Sequence, residues 1–266
     1  MPESEISLTR STAILARVEY PNLDVEKCDQ QIKGFAEVIS DRLAQQSFNP
    51  ATPFGTIDTI NRLMFDEVGF RGNESDYYDP RNSFLNDVLE RRTGIPITLS
   101  VVYLEVARHL GLPIFGVGLP SHFVVKYDDG KWCHFIDVFA RGRVLDKNGC
   151  RELVRRLGSS VELTDSMFAT VSKRQIVARM LNNLRGTYIH RRQYRKAVAV
   201  LDLMLALEPS SAEDVRQRAW LLSETGQASL AIEDLERYLK LRPRADDAEE
   251  LRQWIKYSRR EQVSLN

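Results

Sequence analysis

The 266-residue chain is short of the residues that stabilise or anchor proteins outside the cytoplasm. Its three cysteines, Cys28, Cys133 and Cys150, are too few and too scattered for a disulfide framework or a zinc finger. No apolar run approaches the roughly 18 residues of a membrane-spanning helix. The acidic segment 1–10 lacks the basic start and the apolar stretch of a secretion signal. These absences predict a cytoplasmic protein that makes no membrane contact.

The chain also lacks an excess of charge of either sign. Its 37 Lys and Arg residues balance 37 Asp and Glu residues, and the sequence pI is about 6.9. A dedicated nucleic-acid-binding protein normally has a clear basic excess, so nucleic acid is not expected as a partner. No glycine-rich phosphate loop of a standard pattern is present, and we expect no cofactor.

The residues that are present divide into two parts of opposite charge. Residues 1–172 carry 19 basic and 24 acidic side chains, whereas residues 173–266 carry 18 and 13. Ser172 and Gln175 have the spacing of a capping box, in which two side chains satisfy free N–H groups at the start of a helix. The sequence therefore predicts a first domain over 1–172 and a second domain over 173–266.

The second part repeats itself at an offset of 34 residues. The matched positions lie at helical spacings and combine a small alanine, leucines and a closing proline. They are the pairs Ala197 and Ala231, Leu201 and Leu235, Leu205 and Leu239, Leu207 and Leu241, and Pro209 and Pro243. This pattern resembles the tetratricopeptide repeat (TPR). The resemblance implies about two helical pairs, and a final helix over 246–260 is expected to cover the end of the stack.

A TPR array implies a concave surface for a protein or peptide partner and no chemistry of its own. A basic run that includes Arg191, Arg192, Tyr194 and Arg195 falls at the turn between the two helices of the first repeat. This run is either a binding site for an acidic segment of the partner or a solvated turn.

The first part is mainly helical up to residue 92 and then changes to strands. A helix over 84–92 is expected to stop at Gly94, and Pro96 is expected to start a buried helix that continues to residue 110. Two apolar runs, 122–127 and 132–138, flank a short polar loop and predict a β-hairpin.

This hairpin is expected to bring a histidine to a carboxylate. Pairing of Tyr127 with Trp132 sets the expected register, in which His122 lies directly opposite Asp137. An imidazole oriented by a carboxylate is two-thirds of a nucleophilic triad. The third member is expected at a helix N-terminus, where free N–H groups lower the pKa of a thiol. The start of the predicted helix, residues 94–97, contains no cysteine.

The order of these features resembles the transglutaminase-like superfamily. A buried helix ends at 111–113, a strand begins at His122 and a second strand ends at Asp137. The resemblance implies a papain-like core in which Cys, His and Asp perform acyl transfer or peptide hydrolysis. His122 and Asp137 match two of these three members, and Pro96 stands in the position of the cysteine.

The whole chain more closely resembles the SirB-type bacterial family, which joins such a domain to TPRs and is named for regulation of sirC expression. The passages that carry this resemblance are 79–86, 91–99 and 118–123. Ser121 replaces an expected glycine before the histidine, and Val138 replaces an expected proline after the aspartate. The resemblance implies a regulator.

Other residues could replace the missing nucleophile. Ser100 lies about one helical turn beyond Pro96 and is a better substitute than Thr98, which points elsewhere. A serine inside a helix commonly bonds to an earlier carbonyl instead. Cys133 shares the face of the histidine but lies about 13 Å away along the strand. His134 points to the opposite face, so no metal site is expected.

The sequence thus predicts an α+β protein in two parts, a transglutaminase-like domain with a helical N-terminal extension and an all-α TPR-like array. The leading hypothesis is a non-catalytic adaptor or regulator that binds a protein partner. In it, His122 and Asp137 are an inherited structural pair or part of a binding cleft. The alternative is a hydrolase or acyltransferase that combines this pair with an unconventional nucleophile such as Ser100.

Overall fold

The structure is a computed structural model that describes residues 6–45 and 52–264. The chain divides into two compact units, Met1–Met180 and Leu181–Asn266. The first unit combines helices with small sheets, and the second is helical. The predicted α+β class and the order of the two parts are confirmed.

Among the described residues, six α-helices lie entirely within the first unit: α1 (Leu8–Ala16), α2 (Val25–Gln45), α3 (Pro53–Asn61), α4 (Leu85–Arg91), α5 (Pro96–His109) and α6 (Lys147–Arg156). A π-helical segment, Arg62–Glu67, follows α3. Helix α5 is the centre of this unit, since every residue from Pro96 to Ala107 is buried. Pro96 occupies the first helical turn as predicted, where a missing N–H costs nothing.

The first unit also contains two sheets. Strands β1 (Arg71–Gly72) and β2 (Thr93–Gly94) form a short parallel pair. Strands β3 (Ile114–Leu119), β4 (His122–Asp128), β5 (Cys133–Asp137) and β6 (Arg143–Leu145) form an antiparallel sheet in that order. The sheet packs against α6 through a core that includes Val124, Phe135 and Cys150. This arrangement leaves the beginning of β4 and the end of β5 side by side.

The predicted hairpin is confirmed, but its predicted register is wrong. Tyr127 pairs with His134 rather than with Trp132, so β5 is displaced by two residues. Side chains alternate with a period of two along a strand, so this displacement keeps every side chain on its expected face. His122 and Asp137 therefore share a face as diagonal neighbours, not as directly opposed residues.

The expected stop of α4 is also different. Arg92, not Gly94, follows the helix in the left-handed conformation, with φ 58°. Gly94 is instead part of β2, where it pairs with Gly72. The helix ends at Arg91, one residue before the predicted end, and its left-handed residue lies two positions before Gly94 because the chain enters β2 at Thr93.

The TPR-like region consists of α7 (Lys173–His190), α8 (Tyr194–Leu207), α9 (Ala212–Glu224), α10 (Ala228–Leu241) and α11 (Ala248–Ser264). The predicted capping box forms: Ser172 Oγ accepts from the Gln175 N–H at 3.1 Å, and the Gln175 side chain accepts from the Ser172 N–H at 2.8 Å. The division between the compact units falls within α7.

The offset of 34 residues is the repeat of the structure. Both the first and the last residues of α8 and α10 differ by this offset. Ala197 and Ala231 are completely buried, so each permits the close helix contact that the pattern predicts. No helix in the described part of the chain is long and apolar enough to cross a membrane.

Candidate functional site

His122 and Asp137 meet in a buried pair. The His122 Nε2 atom lies 2.9 Å from Asp137 Oδ1, and their side chains are only 4% and 3% exposed. The Ala140 N–H also donates to Asp137 Oδ1, at 3.3 Å. A carboxylate can only accept, so Nε2 carries the proton and Nδ1 is the nitrogen that could face a nucleophile. The geometry is that of an oriented imidazole.

A residue of α7 binds the turn between β3 and β4, which leads to His122. Arg179 Nη2 donates to the carbonyl oxygens of Leu119 and His122, at 2.8 and 2.6 Å. Burial lowers the pKa of this guanidinium. Ser121, between these carbonyls, has φ 58°. This left-handed backbone favours glycine and explains why a glycine is expected there. Arg179 had no signal in the sequence because its partners are backbone atoms.

Phe139 closes the space beside the histidine. Its ring meets the His122 ring edge to face, with 6.1 Å between their centres. On its other side, the ring is so close to Gly72 that a Cβ added there would lie 2.4 Å from it. Gly72 belongs to β1, which pairs with β2 just before α5. Phe139 therefore lies between His122 and β1, the partner of the strand that leads to Pro96.

The residues predicted at or near the nucleophile position make no contact that would activate a nucleophile. Pro96 has neither a nucleophilic atom nor an N–H. Ser100 and Thr98 are completely buried, and their hydroxyl oxygens have no hydrogen-bond partner in the described chain. Ser100 therefore makes neither the expected bond to an earlier carbonyl nor a bond to His122.

None of the three cysteines is an activated thiol beside the pair. Cys133 is exposed at the far end of β5. Burial, together with nearby Asp137 and Asp146, raises the pKa of Cys150 to about 12. Burial also raises the pKa of Cys28. A raised pKa keeps a thiol protonated and unreactive.

These differences predict how the thiols react. Iodoacetamide at pH 8 is expected to alkylate only Cys133 in the native chain, and Cys28 and Cys150 only after denaturation, because the thiolate is the nucleophile. Mass spectrometry of the chain labelled before and after unfolding identifies the sites. Rapid labelling of Cys150 in the native chain would contradict this assignment and reveal an accessible thiol near Asp137.

His134 lies apart from the pair. Its ring stacks on Trp132 with 4.2 Å between their centres. Within residues 6–45 and 52–264, no group of three or more His, Cys, Asp or Glu side chains could hold a metal ion.

In the second unit, α9, α10 and α11 form a groove of about 440 Å³, here called the repeat groove. Its lining includes Glu213, Gln217, Trp220, Ser223, Leu251 and Trp254. Trp220 is 46% exposed. The Gln217 Oε1 atom is buried and has no hydrogen-bond partner among the described residues. Trp220 and Trp254 are not among the residues predicted from the sequence, although they are separated by the same 34 residues as the matched positions of the repeat.

The predicted basic run lies at the α7–α8 turn, next to this groove. The Tyr194 ring lies 5.6 Å from the Trp220 ring, so Tyr194 adjoins the lining. Arg191, Arg192 and Arg195 are exposed and are not part of the lining. The structure therefore brings one of the four candidate binding residues to the groove and leaves three cationic side chains nearby in sequence.

Comparisons with known proteins agree with this architecture. Residues 26–182 match the transglutaminase-like superfamily, and residues 184–256 match the tetratricopeptide repeat. Residues 26–182 include the His122–Asp137 pair, and residues 184–256 include the lining residues of the repeat groove. No solved structure matches the chain.

Curated relatives cover between 64% and 94% of the chain. A UPF0162 protein of Xylella fastidiosa is 36% identical over 94% of this chain and 89% of its own length. A UPF0162 protein of Pseudomonas aeruginosa is 33% identical over 70% of this chain and 67% of its own length. F-box only protein 21 of Mus musculus is 32% identical over 64% of this chain, but over only 28% of its own length. The chain therefore belongs to the UPF0162 protein family and carries a domain of the transglutaminase-like superfamily.

Proposed function

We propose that this chain is a non-catalytic, cytoplasmic adaptor or regulator that binds a peptide segment of a partner protein in the repeat groove. The observation that carries the proposal is the partly exposed Trp220 in a concave, TPR-type surface. Exposed tryptophans in grooves are frequent centres of binding energy. The resemblance to the SirB-type family supports a regulatory role.

The groove favours an extended peptide with an apolar anchor. Trp220 and Trp254 offer apolar surface, and the buried Gln217 Oε1 needs an N–H donor, which a peptide backbone supplies. Arg191, Arg192 and Arg195 add positive charge near Tyr194. We therefore expect a partner segment that combines an apolar or aromatic side chain with acidic residues.

The site in the first unit lacks the contacts that catalysis would need. A working triad needs a nucleophile in hydrogen-bond contact with its base, and Pro96 stands where the superfamily has its cysteine. His122 is buried beneath Phe139. In this proposal, the His122–Asp137 pair is an inherited structural contact that joins the start of β4 to the end of β5.

Selection of peptides from a random library on the full-length chain tests this proposal. For a selected peptide, Trp220→Ala is expected to weaken binding at least tenfold, since a central aromatic anchor contributes about 2 kcal/mol or more. Leu230→Ala is the matched control, because Leu230 is also 46% exposed but is not part of the groove lining. Reversal of charge at Arg191, Arg192 and Arg195 is expected to weaken the binding of acidic peptides. Equal affinities of the Trp220 and Leu230 variants, or no selected peptide, would refute the proposal.

A hydrolase or acyltransferase is the second candidate. The observation in its favour is the buried Ser100 hydroxyl, which makes no hydrogen bond to a helix carbonyl or to any other group of the described chain. This candidate requires a rearrangement that brings Ser100 to His122 Nδ1 and moves Phe139. It predicts turnover that is lost both in Ser100→Ala and in His122→Gln.

A further inference from the structure

A groove in the first unit has no part in the proposed function. It lies among the α1–α2 connection, α2 and α4, and has a volume of about 840 Å³. Its lining includes Tyr20, Leu23, Lys27, Gln31, Asn86 and Arg92. Neither His122 nor Asp137 lines it, so it is distinct from the buried pair.

Arg92 supplies this groove with a cation that no carboxylate of the described chain neutralises. Its guanidinium carbon lies 5.5 Å from the centre of the Phe35 ring and 5.2 Å from that of Phe70. Burial lowers the pKa of this guanidinium, and no acidic neighbour raises it. The aromatic rings hold the guanidinium in place, but they cannot replace an anion.

The partner of Arg92 is a neutral side chain that lines the same groove. With its amide oxygen turned inward, Gln31 accepts from both Nη atoms, at 3.0 and 3.1 Å. Two parallel N–H groups are the geometry with which arginine binds a carboxylate. Gln31 thus occupies the place of a carboxylate without its charge, and its flexible side chain can be displaced.

Arg92 has a backbone conformation that is unfavourable for any residue other than glycine. Its φ of 58° is a conformation that costs an L-residue about 1–2 kcal/mol and that helix ends usually give to glycine. Residues in such conformations persist where the surrounding structure fixes the backbone, and they cluster at functional sites. A glycine would relieve the backbone but would remove the cation from the groove.

Asn86 and the acidic residues of the lining restrict which ligands the groove can bind. The Asn86 Oδ1 atom is buried without a hydrogen-bond partner and therefore needs a donor. Glu19, Asp24 and Glu90 also line the groove, together with the cations Lys27 and Arg92. The groove therefore has no excess of positive charge, which disfavours a polyanion and leaves Arg92 as a local site for a single carboxylate. A ligand with one carboxylate and an adjacent N–H group supplies the donor that Asn86 needs and carries only a single negative charge.

We infer that this groove binds the C-terminal carboxylate of a peptide, which displaces Gln31 from Arg92 while a peptide N–H donates to Asn86 Oδ1. The partly exposed Leu23 provides apolar surface for a side chain beside the carboxylate. The inference does not depend on the repeat groove, because none of these residues belongs to the second unit.

Calorimetric titration of the full chain with acetyl-leucyl-leucine tests the inference. We expect binding of the free acid and at least tenfold weaker binding of its C-terminal amide, since a hydrogen bond to a charged group contributes about 1.5–3 kcal/mol. Arg92→Gly is expected to remove this preference for the acid. It is also expected to fold, because glycine suits the left-handed backbone. Lys33→Gln, on an exposed part of α2 outside the groove, is the control and should bind as the wild type does.

Asn86→Leu provides a second test that does not alter the cation. It is expected to weaken binding of the acid about fivefold, while the preference for acid over amide remains. Failure of acetyl-leucyl-leucine to bind at millimolar concentration, or equal binding of the acid and the amide, overturns the inference. Full retention of the preference in a folded Arg92→Gly variant also overturns it.

Discussion

Replacing Asp234 with alanine is expected to lower the free energy of unfolding of the second unit by about 3–5 kcal/mol, the usual cost of removing one partner from a buried ion pair. Asp234, on α10, receives two hydrogen bonds from Arg218 of α9, each of 2.7 Å. Arg218 also donates to Asp202 of α8, at 2.6 Å. One guanidinium therefore joins three helices, and without Asp234 it stays partly buried beside a single exposed carboxylate.

Urea denaturation followed by circular dichroism measures this loss, and hydrogen exchange over residues 181–266 localises it. Asp202→Ala is the matched control, because the Asp202 side chain is 55% exposed whereas that of Asp234 is 6% exposed. The control is expected to cost less than about 1 kcal/mol, as exposed pairs do. Similar losses in the two variants would show that burial of Asp234 does not determine the stability of the helix stack.

His122→Ala is expected to lower the free energy of unfolding of the first unit by about 2–3 kcal/mol, because it removes a hydrogen bond from a buried carboxylate. Asp137 would then keep only the long bond from the Ala140 N–H. His122→Gln is expected to lose less, since its amide can still donate to Asp137. These values follow from a structural role for the pair.

Thermal and urea unfolding of both variants measure this effect. His134→Ala is the control, because His134 lies on the other face of the same hairpin and makes a stacking contact with Trp132. It is expected to cost less than about 1 kcal/mol. A loss below 1 kcal/mol in His122→Ala would mean that the pair contributes little to the fold and would favour retention of the histidine for chemistry.

The repeat, the capping box and the contact between His122 and Asp137 could be predicted because each depends on local spacing. The prediction of this contact is correct although the predicted hairpin register is wrong by two residues, because a shift of two residues leaves each side chain on the same face of the strand. A register error of one residue would have separated the two side chains. Alternation therefore predicted the face, whereas the exact pairing depended on a loop geometry that the sequence does not specify.

Other features of the candidate site could not be predicted because they depend on contacts between distant parts of the chain. Phe139 faces Gly72 across a long separation in sequence, and Arg179 reaches the hairpin turn from α7. The stop of α4 at Arg92 follows from the pairing of β1 with β2, two strands of two residues each. Strands this short have no periodicity that a sequence pattern could reveal.

The first unit holds the buried His122–Asp137 pair, and the second holds a groove lined by two tryptophans. In the first unit, burial and Phe139 keep the His122–Asp137 pair from solvent. In the second, the ion pairs of Arg218 join α9, which carries Trp220, to α8 and α10. Under the proposed function, stability and binding depend on different residues, so they can be changed separately.

The most direct test of this account is mass spectrometry of a library-selected peptide after incubation with the full-length chain, with and without a primary amine. Wild type, Ser100→Ala and His122→Gln are compared, and the affinity of each is measured in parallel. We expect an unchanged peptide mass with all three and affinities within about twofold of one another. A Trp220→Ala variant measured alongside them is expected to lose binding. Cleavage or amine incorporation by the wild type that is lost in Ser100→Ala and His122→Gln would contradict the account and establish the enzyme.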